Sequence, residues 1–253
     1  MIEGLDISHW QGKSINWQKM KDAGIKFIYL KCTEGTYYFD DCFEQNYANA
    51  RKFGIKVGAY HFMTKESGKA QFQHFKKHLQ GHEFELVPAL DVETNGITQA
   101  LVDDIGKRLE RLIVNNPVQF GQKKPSFWDI FKSLIRGAGM PYPHPAIYTN
   151  LSLGNSIFKS TSMNRYPLWI ATRNISTPTI PNIWKSTGHY IWQNAVTSGV
   201  PYGISGNVDH NYWGTFLPFP GDVPVPPPDP EEELKINYIK INGETYSGKL
   251  PKV

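Results

Sequence analysis

Pro88-Ala89-Leu90-Asp91-Val92-Glu93 reads as a short apolar strand that ends in two acids. The acids stand at i and i+2, so in an extended chain both side chains leave the same face. Strands covered on both faces of a parallel sheet are apolar at consecutive positions. In a β/α barrel the C-terminal ends of such strands form the catalytic mouth. Outward from this stretch the pattern recurs at Ile2–Asp6, Phe27–Cys32, Val57–Phe62, Ala146–Thr149, Leu168–Ala171, Tyr190–Gln193 and Asn207–Asp209, which with Leu86–Asp91 makes eight strands. Helical patterns fill the early gaps at about 15–24, 40–53, 66–81 and 98–114, and Gly24 and Gly54 stand where helix C-caps belong. The span 115–145 is longer than a return connection needs, and its Phe127-Trp128, Ile130-Phe131 and Leu134-Ile135 predict a further helix near 126–136. After Asn150 the connections are short and rich in Ser, Thr, Pro and Asn. The expected fold class is α/β, with β/α units first and mostly β afterwards, in one closed sheet.

Composition bounds what such a barrel does. The chain has 253 residues, enough for one large domain with an appendage. Seven Trp and thirteen Tyr exceed the needs of a core, and aromatic rings are common platforms for sugars. The net charge of +4 suits contact with an anionic polymer without requiring one, and no dense Lys/Arg run signals a nucleic-acid site. No apolar run approaches the roughly 18 residues of a membrane span. Cys32 and Cys42 allow at most one disulfide, so this is not a disulfide-stapled scaffold. Met1 leads straight into the first strand, with no signal peptide; the expectation is synthesis in a host cytoplasm followed by phage-type release, or export by a separate route.

The acids at 91 and 93 could simply meet solvent or cap a following helix. Two further strands argue otherwise, because Gly4-Leu5-Asp6 and Val208-Asp209 also bring acids to strand ends. With the strands in register, Asp6, Asp91, Glu93 and Asp209 converge at one rim. Clustered carboxylates repel, so at least one should hold its proton to higher pH. A protonated carboxyl beside ionised partners is what glycosidic-bond cleavage needs: one group protonates the leaving oxygen while the others stabilise an oxocarbenium-like transition state. Rival sites are weaker. His74, His78 and His82 follow at i, i+4 and i+8, which could hold a metal, but no other ligand type is near and a solvated polar face is the expectation. Ser8-His9 lacks the surroundings of a nucleophile elbow.

Eight ordered motifs then resemble glycoside hydrolase family 25, the CH-type lysozymes. They are Gly4-Leu5-Asp6-Ile7-Ser8-His9-Trp10-Gln11-Gly12, Lys31-Cys32-Thr33-Glu34-Gly35, Gly58-Ala59-Tyr60-His61-Phe62, Asp91-Val92-Glu93, Ile147-Tyr148-Thr149-Asn150, Trp169-Ile170-Ala171, Trp192-Gln193 and Val208-Asp209-His210-Asn211. The resemblance covers about residues 1–216, excluding 115–145 and the tail. It implies a TIM-like (β/α)5(β)3 barrel that cuts the β-1,4 bond between N-acetylmuramic acid and N-acetylglucosamine in bacterial peptidoglycan, as phage endolysins and bacterial autolysins do, with no metal or organic cofactor. It further implies Glu93 as general acid, Asp91 as the second carboxylate, and Asp6 and Asp209 as supporting carboxylates. Tyr60, Tyr148, Trp169, Trp192 and Gln193 are expected to line the sugar groove. The alternatives are a non-catalytic glycan-binding module and a structural component of a phage particle; four retained acids argue against both.

Beyond the barrel, expected over 1–217, the composition changes. Within residues 218–233, Phe219–Glu233 holds Pro220, Pro224, Pro226, Pro227, Pro228 and Pro230 and then three Glu, a stiff linker. At about 3.1 Å per residue, some fifteen residues reach roughly 45 Å. Over 234–253, Leu234–Ile241 and Glu244–Leu250 flank Asn242-Gly243, which predicts a β-hairpin tail. Its expected use is homo-oligomer formation or wall attachment.

Overall fold

The computed structural model describes residues 1–122, 144–214 and 219–220, together with the backbone of strands Leu234–Ile241 and Glu244–Leu250. The helix expected near 126–136, most of the linker and the Asn242-Gly243 turn lie outside these residues.

Eight strands close into a barrel: β1 (Glu3–Ile7), β2 (Phe27–Glu34), β4 (Lys56–Phe62), β5 (Ala89–Asp91), β6 (Ala146–Asn150), β7 (Leu168–Ala171), β8 (Ile191–Ser198) and β9 (Asn207–Trp213). Pairing of β1 with β2 closes the ring, and the two-residue β3 (Tyr38–Phe39) adds to the outer end of β2. Neighbours from β1 through β8 run parallel. The last strand does not. β9 runs antiparallel to both β8 and β1. The short link through Gly199–Gly206 explains this, since a parallel return would need a crossover of a dozen or more residues.

Helices α1 (Trp17–Asp22), α2 (Phe43–Lys52), α3 (Gly68–Leu79) and α4 (Gln99–Asn115) occupy the early connections, and the seven-residue α5 (Leu151–Ile157) follows β6. Asn16, Thr98 and Asn150 cap α1, α4 and α5 by accepting from Lys19, Leu101 and Leu153 backbone N–H groups. Gly24 and Gly54, at φ 89° and 74°, close the first two helices.

The strands alternate between two cores. Leu5, Ile7, Ile28, Leu30, Val57, Leu90, Val92, Ile147 and Ile170 face outward and pack with the helices. Phe27, Tyr29, Ala89, Ala146, Tyr148, Trp169 and Ile191 face the barrel axis. Apolar residues on both faces produce the consecutive apolar runs of the sequence. Gly4 and Gly58 make space inside: a Cβ on either would stand 2.4 or 2.3 Å from the ring of Phe27 or Tyr29. Phe219 packs 5.0 Å from Trp213 and 6.3 Å from Phe27, ring to ring, so the half-buried Phe219, within the expected 218–233 linker, covers the inner core. Cys32 and Cys42 are unbonded and buried. Strands β10 (Leu234–Ile241) and β11 (Glu244–Leu250) pair antiparallel as a separate two-stranded sheet.

Candidate active site

An open cleft lies at the C-terminal ends of the parallel strands. Asp6, Lys31, Tyr60, Asp91, Glu93, Tyr148, Trp169, Gln193 and Asp209 all line it. Each is reached by the alternation of its strand: Gly4, Asp6 and Ser8 share one face of β1, as do Ala89, Asp91 and Glu93 along β5. The register continues past the end of β5 because Val92 N–H donates to Tyr148 O and Met63 N–H to Asp91 O, each at 2.9 Å.

Asp209 arrives by a different route from the one expected. It sits near the start of β9, not at its end, and reaches the same rim because that strand runs antiparallel, pairing Asp6 with Asp209. Trp192 is not brought to the cleft. Its neighbour Gln193 faces the axis, so Trp192 faces the helical layer, where its indole N–H donates to Thr172 O at 2.6 Å and its ring lies near Tyr212. His74 and His78 of α3, and His82 just beyond it, are also placed differently from a solvated face. His74 bonds Tyr38 O at 2.9 Å, His78 stacks on Phe39 at 4.1 Å, and His82 bonds Glu44 at 2.9 Å. They hold β3 and α2 against α3. His61 is buried between Thr33 and Gln71, and burial lowers its pKa to about 3, so it packs as a neutral ring.

The acids differ sharply in environment. Asp6 accepts from Asn211 at 2.7 Å and Gln193 at 3.0 Å, yet burial, then the charge of Asp209, pushes its pKa up to about 8. Asp91 is buried, its Oδ1 has no hydrogen-bond partner among the described residues, and burial followed by the charges of Glu93 and Asp6 holds its carboxyl well above the usual range. Glu93 is the outermost, but its carboxyl lies 3.4 Å from the Tyr148 hydroxyl. Desolvation raises its pKa, against the opposing pull of Tyr148 and Arg173. Asp209 is raised by burial and drawn back by Arg173, which pairs with it at 3.1 Å. Burial, ahead of mutual repulsion, is thus the first cause at all four sites.

Two cations escaped the sequence reading. Lys31 is buried inside the cleft, 2.6 Å from Glu34 Oε2, with its ammonium 4.8 Å from the Phe62 ring centre. Arg173, two residues beyond β7, donates to Gln193 Oε1 at 2.8 Å as well as to Asp209. Its inward direction continues the alternation Trp169, Ala171, Arg173, which was the available signal. Gln193 is held at both ends of its amide: Oε1 receives Arg173 and, at 3.0 Å, the Tyr148 hydroxyl, while one N–H donates to Asp6. The single Tyr148 proton serves Gln193 or Glu93, one at a time. Trp169 lies beneath, with its indole N–H on Asn211 Oδ1 at 2.8 Å and its ring 4.9 Å from Tyr148 and 6.5 Å from Tyr60. The arrangement combines a proton-holding carboxyl, an unpartnered buried carboxylate oxygen and aromatic walls, which suits acid-catalysed cleavage of an acetal bond.

Comparisons with known proteins agree with this chemistry. The sequence profile of Glycosyl hydrolases family 25 matches residues 5–201. Lysozyme M1 of Streptomyces globisporus is 35% identical over 217 residues, which are 83% of this chain and 67% of that protein. N,O-diacetylmuramidase of a Chalaropsis species is 30% identical over 219 residues, 81% of this chain and 92% of that one. The crystal structure of the bacterial lysozyme from Streptomyces coelicolor superposes with a TM-score of 0.66 at 31% identity, covering 85% of this chain and 92% of the other.

Proposed function

We propose, from the premise that the chain belongs to glycosyl hydrolases family 25 and is a glycoside hydrolase of the muramidase type, that it cuts the β-1,4 bond between N-acetylmuramic acid and N-acetylglucosamine and so lyses bacterial cell wall. The observation that carries the reading is the unequal treatment of four acids at one mouth. Arg173 offsets the charge of Asp209, and Asp6 keeps its proton to about pH 8. That leaves Asp91 and Glu93 facing the substrate.

Both carboxyls resist ionisation, Asp91 the more because it is the more deeply buried. A sugar's 2-acetamido N–H donating to the unpartnered Asp91 Oδ1 would favour the charged form of Asp91 and leave the proton on Glu93. Glu93 then protonates the leaving glycosidic oxygen. Asp91 stabilises the positive charge that grows at the sugar carbon, or orients the acetamido group as internal nucleophile. Tyr60, Tyr148 and Trp169 supply the walls. Gln193, bonded to Tyr148, Arg173 and Asp6, holds Tyr148 and Asp6 in place. Purified cell walls give the test: the protein should clear a turbid wall suspension, whereas binding without clearing would favour a non-catalytic glycan module.

For the tail, self-association is the reading we favour. A two-stranded sheet is marginal in water and gains from a partner edge. Light scattering should find an oligomer for the full chain and a monomer after removal of residues 221–253. A full chain that stays monomeric at high micromolar concentration contradicts this.

A further inference from the structure

Six of the seven tryptophans lie among the described residues. Trp17, Trp169, Trp184 and Trp192 are buried and Trp213 is half-buried, whereas Trp10 is 82% exposed. Leaving an indole in water forgoes the gain that burial brings. Of the large exposed apolar side chains among the described residues, Trp10 is the one that lines the cleft.

The turn that carries Trp10 is held from several sides. His9 donates its backbone N–H to Oδ2 of the fully buried Asp40 at 2.9 Å, and its Nδ1 lies 3.1 Å from the same oxygen. Ser8 Oγ accepts from Trp10 N–H, Gln11 donates to Asn207 O in β9, and Asn46 of α2 donates to Gly12 O. Gly12 closes the turn at φ 71°, a conformation that favours glycine. The indole centre stands 4.7 Å from the His9 ring, which stands 5.9 Å from Tyr38; Lys31 Nζ lies 5.4 Å from Tyr38 and 4.8 Å from Phe62. A string of rings therefore runs from Trp10, exposed at the cleft, behind its lining through His9 and Tyr38 to Lys31 inside.

We propose that Trp10 is a stacking platform for a pyranose ring of the glycan strand, an outlying subsite beyond the two sugars that flank the cut bond. The proposal rests on the glycan-cleaving assignment of the cleft. A pyranose has a flat C–H face and polar edges, so it suits a lone indole among polar neighbours such as His9 and Gln11. A protein partner would call for a broader apolar patch. The rigid turn presents the ring already oriented, which spares the entropy of ordering it on binding.

The test uses Trp10→Phe, Trp10→Leu and Trp10→Ala on peptide-free glycan strands, from the shortest cleavable fragment upward. Trp10→Ala should lower kcat/KM on long strands roughly ten-fold more than on the shortest fragment, chiefly through KM. Phe should restore most of the loss and Leu little. In parallel, titration calorimetry of Glu93→Gln with and without Trp10→Ala against an intact long strand should show Kd weakened by a similar factor. Equal losses at every length, unaltered long-strand kinetics, or equal rescue by Leu and Phe would overturn the proposal. A wild-type protein that cleaves no strand defeats the hydrolase assignment instead, and the calorimetric arm still decides whether Trp10 binds sugar. Thermal melts check folding, and Trp10→Phe against Trp10→Leu keeps the comparison should the alanine variant be unstable.

Discussion

At the floor of the barrel Phe27, Tyr190 and Trp213 point inward and their rings meet at 5.4 and 4.6 Å around Trp213; at the mouth, Lys31, Gln193 and Asp209 point to the same axis from the same three stretches of chain. The floor is sealed by aromatic packing and by Phe219, whereas the mouth holds four carboxyls and two cations. Along β2 and β9 side-chain direction is the same in the two regions, because alternate residues of one strand share a face; Tyr190 stands just before β8, where Ile191 and Gln193 are the inward pair. What differs is height along the axis. Packing residues below set the positions of chemical residues above, and burial that is harmless to a ring becomes a proton-holding device for an acid.

The sharpest way to break this contrast is at the top. Glu93→Gln should lower wall hydrolysis about 10²–10⁴-fold with little change in stability, since the amide is nearly isosteric. A folded variant with wild-type-like lysis removes Glu93 from the acid role. At the floor the effect should be on stability. Gly58→Ala would force a methyl to within 2.3 Å of the Tyr29 ring, whose hydroxyl is fixed on Val87 O, and overpacking of this kind costs about 1–3 kcal/mol. A melt unchanged from wild type would mean that the floor yields easily.

The next tests are titrations. Asp6 has a folded pKa near 8, well above that of an ordinary carboxyl. The stability it contributes is therefore full below about pH 4 and is lost as pH rises through 8. Denaturant midpoints of Asp6→Asn, measured across that window, should fall less with pH than those of wild type; parallel curves would contradict it. For activity, Asp209 raises and Arg173 lowers the pKa of Glu93. Asp209→Asn should shift the alkaline limb of the pH–rate profile downward and Arg173→Met upward. Shifts of the same sign would show that these charges do not set it. The smallest effect belongs to Trp192→Phe, which loses a hydrogen bond to Thr172 O worth about 0.5–1.5 kcal/mol and should hydrolyse walls like wild type.

Much of this is legible in the sequence. The i, i+2 acids at 91 and 93 and the apolar runs carry local signals that survive folding. Asp209 was found at the right rim for the wrong reason, because strand direction depends on the length of a connection and not on the strand's own residues. Trp192 was misplaced because adjacent residues of a strand face opposite ways, and the motif Trp192-Gln193 does not say which one turns inward. Arg173 and Lys31 continue the inward alternations Trp169, Ala171, Arg173 and Phe27, Tyr29, Lys31, but only the closed barrel brings those faces beside the acids.

The central claim is that this mouth cuts one particular bond of peptidoglycan. Mass analysis of the fragments from digested, purified peptidoglycan tests it most directly. New reducing ends on N-acetylmuramic acid are expected, absent from a digest with Glu93→Gln. New ends on N-acetylglucosamine, or muramic ends produced equally by that variant, would contradict it.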